Sequence, residues 1–280
     1  MDMLVSPRWL AERLNASDLR IVDATAFLPG TPRDPHAEYL AAHIPGALFL
    51  DLSTLNDPQD PRPATVPANA QFAARMAALG ICEDDRIVVY DNSPLASSGR
   101  AWWLFRVFGA RNVAILDGGL AGWQHEGLPT QNGEGTPGTA KFRAERDERA
   151  IANKKDILAN LTSCAAQVVD ARSGDRFRGE AAEPRPGMAE GHIPGSVNLP
   201  TRDLLDAQGH WKRGEALRET FIAAGVDLDK PLIMSCGSGV TACNLLFGAA
   251  LLGKQDVRIY DGSWSEWGAD PATPKAVGPA

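Results

Sequence analysis

The chain has 280 residues, 44% of them hydrophobic and 22% charged, a balance suited to a globular chain of one large domain or two ordinary ones. A formal net charge of −7 argues against a nucleic-acid or anionic-membrane partner, and it requires any anionic substrate to find a locally basic pocket. Four cysteines are too few for a disulfide framework, so a reducing cytoplasm is the expected location. No apolar run reaches membrane-spanning length, and Met1–Leu14, broken by Asp2, Arg8, Glu12 and Arg13, lacks the apolar core of a signal peptide.

In chain order, the first half alternates short apolar runs with helical patterns. Pro7–Leu14 reads as a helix, Ile21–Ala24 and Ala47–Leu50 as strands, and Ala68–Leu79 as a helix. Ile87–Tyr90 then reads as a strand, Gly99–Phe108 as a helix and Val113–Leu116 as a strand. A stretch rich in Gly and Pro, Gln131–Gly138, followed by the charged Arg143–Arg149, reads as an exposed linker. The second half repeats the pattern. Its helices are Lys155–Leu161, Gly214–Ala224 and Val240–Leu251, and its strands are Val168–Ala171, Ser196–Asn198, Pro231–Ser235 and Arg258–Tyr260. Near-continuous apolar strands alternating with helices specify α/β architecture, a parallel sheet covered by helices on both faces.

The halves are copies. His43-Ile44-Pro45-Gly46-Ala47 recurs as His192-Ile193-Pro194-Gly195-Ser196, and Ile21-Val22-Asp23-Ala24 as Val168-Val169-Asp170-Ala171. Ala78-Leu79-Gly80-Ile81 recurs as Ala223-Ala224-Gly225-Val226, and Asp117-Gly118-Gly119 as Asp261-Gly262-Ser263. All four matches keep the same order, at separations of 144 to 149 residues. Two copies are too few for a solenoid, so each folds around its own core: residues 1–130, a linker at 131–150, and residues 151–280.

Chemistry concentrates in Leu232–Leu252, an apolar strand that runs into Cys236-Gly237-Ser238-Gly239 and then into a helix. Cys236 therefore falls at a strand-to-helix turn, where free backbone N–H groups and the positive end of the helix dipole favour an anion. The thiolate is the nucleophilic form of cysteine, and the two glycines let the backbone curl its amides toward one sulfur. The plainer alternative, a small residue filling space at a strand end, does not account for the Gly-Ser-Gly turn. Asp91 stands at the matching place in the first half, where no sulfur can be carried, so that half reads as non-catalytic and as one wall of the cleft in which Cys236 works. Cys82, Cys164 and Cys243 lack metal-ligand spacing, so no metal is expected. Cys243, two helical turns past Cys236, reads as buried packing, as do Trp102, Trp103, Trp123, Trp264 and Trp267.

The run Cys236-Gly237-Ser238-Gly239-Val240-Thr241 resembles the six-residue active loop of rhodanese-type sulfurtransferases, in the branch that uses 3-mercaptopyruvate. The resemblance spans nearly the whole chain and implies two tandem rhodanese-like domains, the second catalytic. It implies a persulfide on Cys236, bound by the loop residues Gly237, Gly239, Val240 and Thr241, with no cofactor. It also implies that Arg176 and Arg185, nine residues apart, bind the substrate carboxylate. The independent physical case is that guanidinium forks pair with carboxylates; the alternative is that these arginines are solvated or paired with Glu180, Glu183 or Glu190, the reading taken for Arg178. Ser238, where the thiosulfate-preferring branch has a basic side chain, can protonate an enolate or can simply be a turn residue. A relay to it from His43 and Asp34 is implied by the resemblance, while His43 before Ile-Pro-Gly reads equally as a packing residue at a strand start.

The expected activity is transfer of sulfane sulfur from 3-mercaptopyruvate to a thiol, thioredoxin-like or cyanide acceptor, with release of pyruvate. Thiosulfate as the main donor is the nearest alternative, and a non-catalytic sulfur carrier or binding module is the alternative from another class. A phosphatase or arsenate reductase of related fold would need a longer loop ending in an arginine, and Ala242 follows Thr241 here.

Overall fold

The computed structural model describes residues 1–279 and divides into two compact units. Unit 1 comprises Met1–Asp57, Val66–Asp147 and Ala207–His210; unit 2 comprises Pro58–Thr65, Glu148–Asp206 and the chain from Trp211 onward.

Unit 1 carries strands β1 (Leu4–Val5), β2 (Leu19–Asp23), β3 (Ala47–Phe49), β4 (Arg86–Tyr90) and β5 (Val113–Leu116). Its helices are α1 (Pro7–Ala11), α2 (Pro35–Ala41), α3 (Asn69–Ala78), α4 (Ser98–Val107) and α5 (Gly119–His125). Unit 2 carries β6 (Ile151–Ala152), β7 (Gln167–Asp170), β8 (Val197–Asn198), β9 (Leu232–Ser235) and β10 (Val257–Tyr260). Its helices are α6 (Lys154–Ser163), α7 (Gly174–Arg178), α8 (Gly214–Ala223), α9 (Ala242–Leu251) and α10 (Ser263–Trp267). The strand orders, β1-β5-β4-β2-β3 and β6-β10-β9-β7-β8, are the same topology written twice, with every pairing parallel.

The central strands are apolar because both of their faces are covered. In unit 1, Val88, Tyr90, Ala114 and Leu116 share one face with Leu10, Tyr39 and Trp123 from α1, α2 and α5. The alternating residues Ile87, Val89, Val113 and Ile115 point the other way and are equally buried, with Trp102 of α4 donating its indole N–H to the Val113 carbonyl. In unit 2, Val168, Ile233 and Tyr260 pack with Ile157 of α6 and with Trp264 and Trp267 of α10. Each such side chain taken out of water contributes roughly 1.5–3 kcal/mol, which makes the β9 core a firm base for the loop that leaves it.

Helix starts follow local chemistry. Asn153 and Asp156 form a reciprocal capping box at α6, and the Asp34 side chain accepts the His36 and Ala37 N–H groups ahead of Pro35 at the first turn of α2. The Gln131–Gly138 stretch is exposed except for Gly135, yet it is fastened to unit 1: Gln131 pairs with His43 through both backbone groups, and the Gly133 N–H donates to the Leu40 carbonyl.

Six elements go beyond the sequence reading. The edge strands β1 and β6 have two residues each, too few to show periodicity. Helices α2, α5, α7 and α10 are five to seven residues long, and three of them begin or end at glycines that read as turns. The helix expected from Val240 starts at Ala242, leaving Val240 and Thr241 in the loop.

Candidate active site

In unit 2, β9 lies between β10 and β7, and the chain leaves its carboxyl end at Cys236. That edge of an open parallel sheet is where ligands bind in such folds. The neighbouring strand β7 ends beside it at Asp170, in register with Ser235.

Cys236 is buried at 1% exposure. The loop turns back over its sulfur because Gly239 adopts φ +80°, a left-handed conformation that glycine accepts without strain. This turn aims the Gly239 N–H at the Cys236 Sγ, 3.1 Å away. The N–H groups of Gly237, Ser238, Val240 and Thr241 donate to no protein acceptor among the described residues, which leaves four further donors in the loop ahead of α9. The far side of the loop is pinned by α10: Trp264 and Ser265 donate their N–H groups to the carbonyls of Cys236 and Gly237, at 2.9 and 2.8 Å. Ser263 holds a left-handed φ of +48° and accepts the Cys236 N–H on its Oγ at 3.2 Å, while its own hydroxyl donates to Tyr260 O. Ser238 is buried in the loop. Cys243 is fully buried on α9 and donates its S–H to the Gly239 carbonyl, a packing and bracing role.

Both candidate arginines reach this loop. A Cβ placed on Gly237 would lie 3.1 Å from Arg176 Nη2, so the guanidinium rests against the loop backbone. Arg176 is held there by Glu183, through Nη2–Oε2 at 2.5 Å and Nε–Oε1 at 3.3 Å. Glu183 is itself anchored by Arg172, whose Nη1 donates to Oε1 at 2.7 Å. Arg172 is fully buried, forks onto Asp170, donates to the Gly191 carbonyl and lies 4.4 Å over the Trp264 ring. Arg185 differs: half-buried, it has no hydrogen bond or ion pair among the described residues. Burial lowers its pKa, opposed first by the nearby Cys236 sulfur, while Arg176 lowers it further and Glu183 raises it. Arg178 pairs with Glu180 at 2.6 Å, as expected for a solvated surface arginine.

His43 and Asp34 belong to unit 1. The His43 ring is fully buried and stacked 4.2 Å from Tyr39; its Nδ1 meets the Tyr39 carbonyl at 2.8 Å and so carries the proton, while Nε2 has no hydrogen-bond partner among the described residues. Its counterpart His192 stacks on Phe177 and bonds the Phe177 carbonyl in the same way. Asp34 is exposed and caps α2.

In unit 1, Asp91 follows β4 as Cys236 follows β9, and the Leu120 N–H donates to its carbonyl as Trp264 does to that of Cys236. The buried Asp91 carboxylate accepts the N–H groups of Ser93 and Ser98 at 2.8 and 2.9 Å, so this loop supplies its own anion. Burial raises the Asp91 pKa against the opposing pull of those serines.

The sequence reading missed Ser263, Arg172 and the bridging position of Glu183. One signal was available for the first: the repeat reads Asp-Gly-Gly before α5 and Asp-Gly-Ser before α10, a serine replacing a glycine at a left-handed position. The five tryptophans expected in the core are all there, none above 2% exposed. Among the described residues, no three or more His, Cys, Asp or Glu side chains gather as a metal site would, and no helix is long and apolar enough to cross a membrane.

A parallel α/β unit with a thiol cradled by backbone amides at the carboxyl end of its central strand, present beside a second copy lacking the thiol, defines a tandem persulfide-type scaffold. The chain belongs to the rhodanese family: a family model described as rhodanese-like domain matches residues 6–126 and 153–270, one match in each half. It is 45% identical to human 3-mercaptopyruvate sulfurtransferase over 270 residues, covering 94% of this chain and 91% of that one. Identity to the Bos taurus thiosulfate sulfurtransferase is nearly the same, 44% over 271 residues with equal coverage. The crystal structure of SseA from Escherichia coli superposes with a TM-score of 0.86 at 40% identity, over 95% of this chain and all of that one.

Proposed function

We propose that the chain is a sulfurtransferase that takes sulfur from 3-mercaptopyruvate onto Cys236 and passes it to a thiol or cyanide acceptor. Overall identity does not choose between the two donors, because relatives named for each lie within one percentage point. The observation that carries the choice is local: one unpaired, half-buried guanidinium, Arg185, beside a cysteine whose loop holds no cationic side chain. Arg185 offers its N–H fork to the donor carboxylate, and Arg176, whose own fork is held by Glu183, adds a further hydrogen bond to a carboxylate oxygen.

The Cys236 thiolate attacks the thiol sulfur of the donor, so that an S–S bond forms and the carbon–sulfur bond breaks. Its electron pair goes to the pyruvate enolate. The outer sulfur releases its proton, the enolate gains one, and the products are pyruvate and Cys236–S–S⁻. Ser238, buried in the loop, is the group assigned to move that proton. The persulfide anion takes up the free N–H groups of Gly237, Ser238, Val240 and Thr241 together with that of Gly239. An acceptor thiolate, on a thioredoxin-like protein or a small thiol, then attacks the outer sulfur and regenerates the Cys236 thiolate; cyanide gives thiocyanate. The His43 and Asp34 relay remains part of the proposal on the resemblance, although the burial of His43 favours a packing role. All four cysteines are free, which supports a reducing cytoplasmic location.

The test is the ratio of kcat/KM for mercaptopyruvate to that for thiosulfate with one acceptor. A ratio above one, with repeated release of pyruvate, is expected. A preference for thiosulfate overturns the donor assignment and leaves the family intact, and single-turnover behaviour with every donor points to a carrier.

A further inference from the structure

Four charged side chains form a chain across the floor of the site. Asp170 holds Arg172, Arg172 holds Glu183, and Glu183 holds Arg176 against the Gly237 backbone. Side-chain exposure falls from 20% at Arg176 to 5% at Glu183 and 1% at Arg172, so Glu183 is enclosed by the two guanidiniums and has little water to screen it. The signs alternate, and the four charges sum to zero. Arg185 is the cation left over, and with the Cys236 thiolate present it balances that too.

Resting on the mercaptopyruvate reading above, we infer that Glu183 sets the charge of the donor this site accepts, by neutralising Arg176 and leaving Arg185, balanced only by the Cys236 thiolate, as the cation without an acidic partner. 3-Mercaptopyruvate brings one negative charge at neutral pH and thiosulfate brings two. With the thiolate counted the site is neutral, so the first leaves one unmatched charge in a half-buried pocket and the second leaves two. Arg176 still binds a carboxylate oxygen by hydrogen bonding, but its field is cancelled within 2.5 Å. Glu183 acts through Arg176 and does not itself touch the donor, which makes it a specificity-determining and positioning residue.

The experiment is Glu183→Gln, nearly the same shape without the charge, beside Glu183→Asp, which keeps the charge on a shorter arm. For each folded variant, kcat/KM is measured for mercaptopyruvate and for thiosulfate. The expected result for Glu183→Gln is a shift of the ratio toward thiosulfate of about tenfold or more, the size of one unscreened charge in a partly buried site. Glu183→Asp is expected to lower both values and hold the ratio near that of the wild type. An unchanged ratio in folded Glu183→Gln, or equal shifts in the two variants, overturns the inference while the donor reading stands. A wild type that prefers thiosulfate overturns both. Should Glu183→Gln not fold, competitive inhibition of the wild type decides: pyruvate is expected to bind more tightly than sulfate, and the reverse order refutes the charge assignment.

Discussion

Arg185→Ala separates a binding arginine from a structural one, because activity and stability should move in different directions. The guanidinium is half-buried and has no partner among the described residues, so its removal orphans no acceptor. Burial already acts against its charge, and deleting an unpaired, partly desolvated cation should leave the melting temperature unchanged or slightly raised. Activity should fall. A hydrogen bond to a charged group is worth about 1.5–3 kcal/mol, and about 1.4 kcal/mol is one power of ten, so kcat/KM for mercaptopyruvate drops by roughly ten- to a hundredfold. The loss should fall mainly on KM, as expected for a contact made to the carboxylate in ground and transition states alike. Arg185→Lys, which keeps the charge and loses the fork, should lie between. Arg176→Ala makes the control: it exposes the Glu183 carboxylate toward the donor, and so should cost activity and stability together. The assay is pyruvate release under steady-state conditions, paired with thermal melts. Wild-type kcat/KM in Arg185→Ala, or a destabilised variant with KM unchanged, refutes the assignment of Arg185 as the carboxylate anchor.

Cys236→Ser should abolish turnover with every donor, and intact-mass measurement after donor treatment should show one added sulfur on the wild type and none on this variant. Cys243→Ser keeps a donor for the Gly239 carbonyl and should retain most activity. Ser238→Lys should move the donor ratio toward thiosulfate by roughly tenfold, whereas Gly237→Arg should impair both donors, because its Cβ meets Arg176 Nη2 at 3.1 Å. In unit 1, burial raises the Asp23 pKa to about 6, so the native state holds a proton that the unfolded chain releases above about pH 4. Stability should therefore fall as pH rises across that window and level off above it, by on the order of 2–3 kcal/mol in all. Asp23→Asn should remove that slope in urea unfolding measured on either side of the window.

What was legible in the sequence depended on how local its signal was. The β2, β4, β7 and β9 strands announce themselves as apolar runs because both of their faces are buried, and β5 was read to the residue. Cys236 was legible because a strand, two glycines and an apolar helix lie side by side in the chain. Arg172 was not: it follows Asp170 by two residues and resembles any loop arginine, and only folding brings it onto Trp264, 92 residues away in sequence. The role of Glu183 was hidden for the same reason. Three glutamates near Arg176 and Arg185 were equal candidates as ion-pair partners, and the enclosure that singles out Glu183 exists only in three dimensions. Ser263 shows the limit of reading a repeat, since its departure from glycine is visible in the sequence but its hydrogen bond to Cys236 is not.

The two halves treat the same backbone turn in two different ways. Each places a residue at the carboxyl end of the strand β4 or β9 and fixes its carbonyl by an N–H of the following α5 or α10. The backbone turn that follows concentrates N–H groups, and an anion is favourable there whatever its source. In the first half the anion is built in: the Asp91 carboxylate takes the Ser93 and Ser98 N–H groups, and the loop needs no ligand to be satisfied. In the second half the side chain is a thiol, which takes one N–H from Gly239 and leaves those of four loop residues without a protein acceptor among the described residues. Unpartnered donors that reach a bound ligand are a recognition element, because the ligand supplies the hydrogen bonds that the protein does not. A persulfide extends the negative charge one sulfur beyond Cys236. The difference between the halves is thus a difference in who satisfies the turn, and the exchange of Asp for Cys at one position changes a closed structural loop into an open one with work to do.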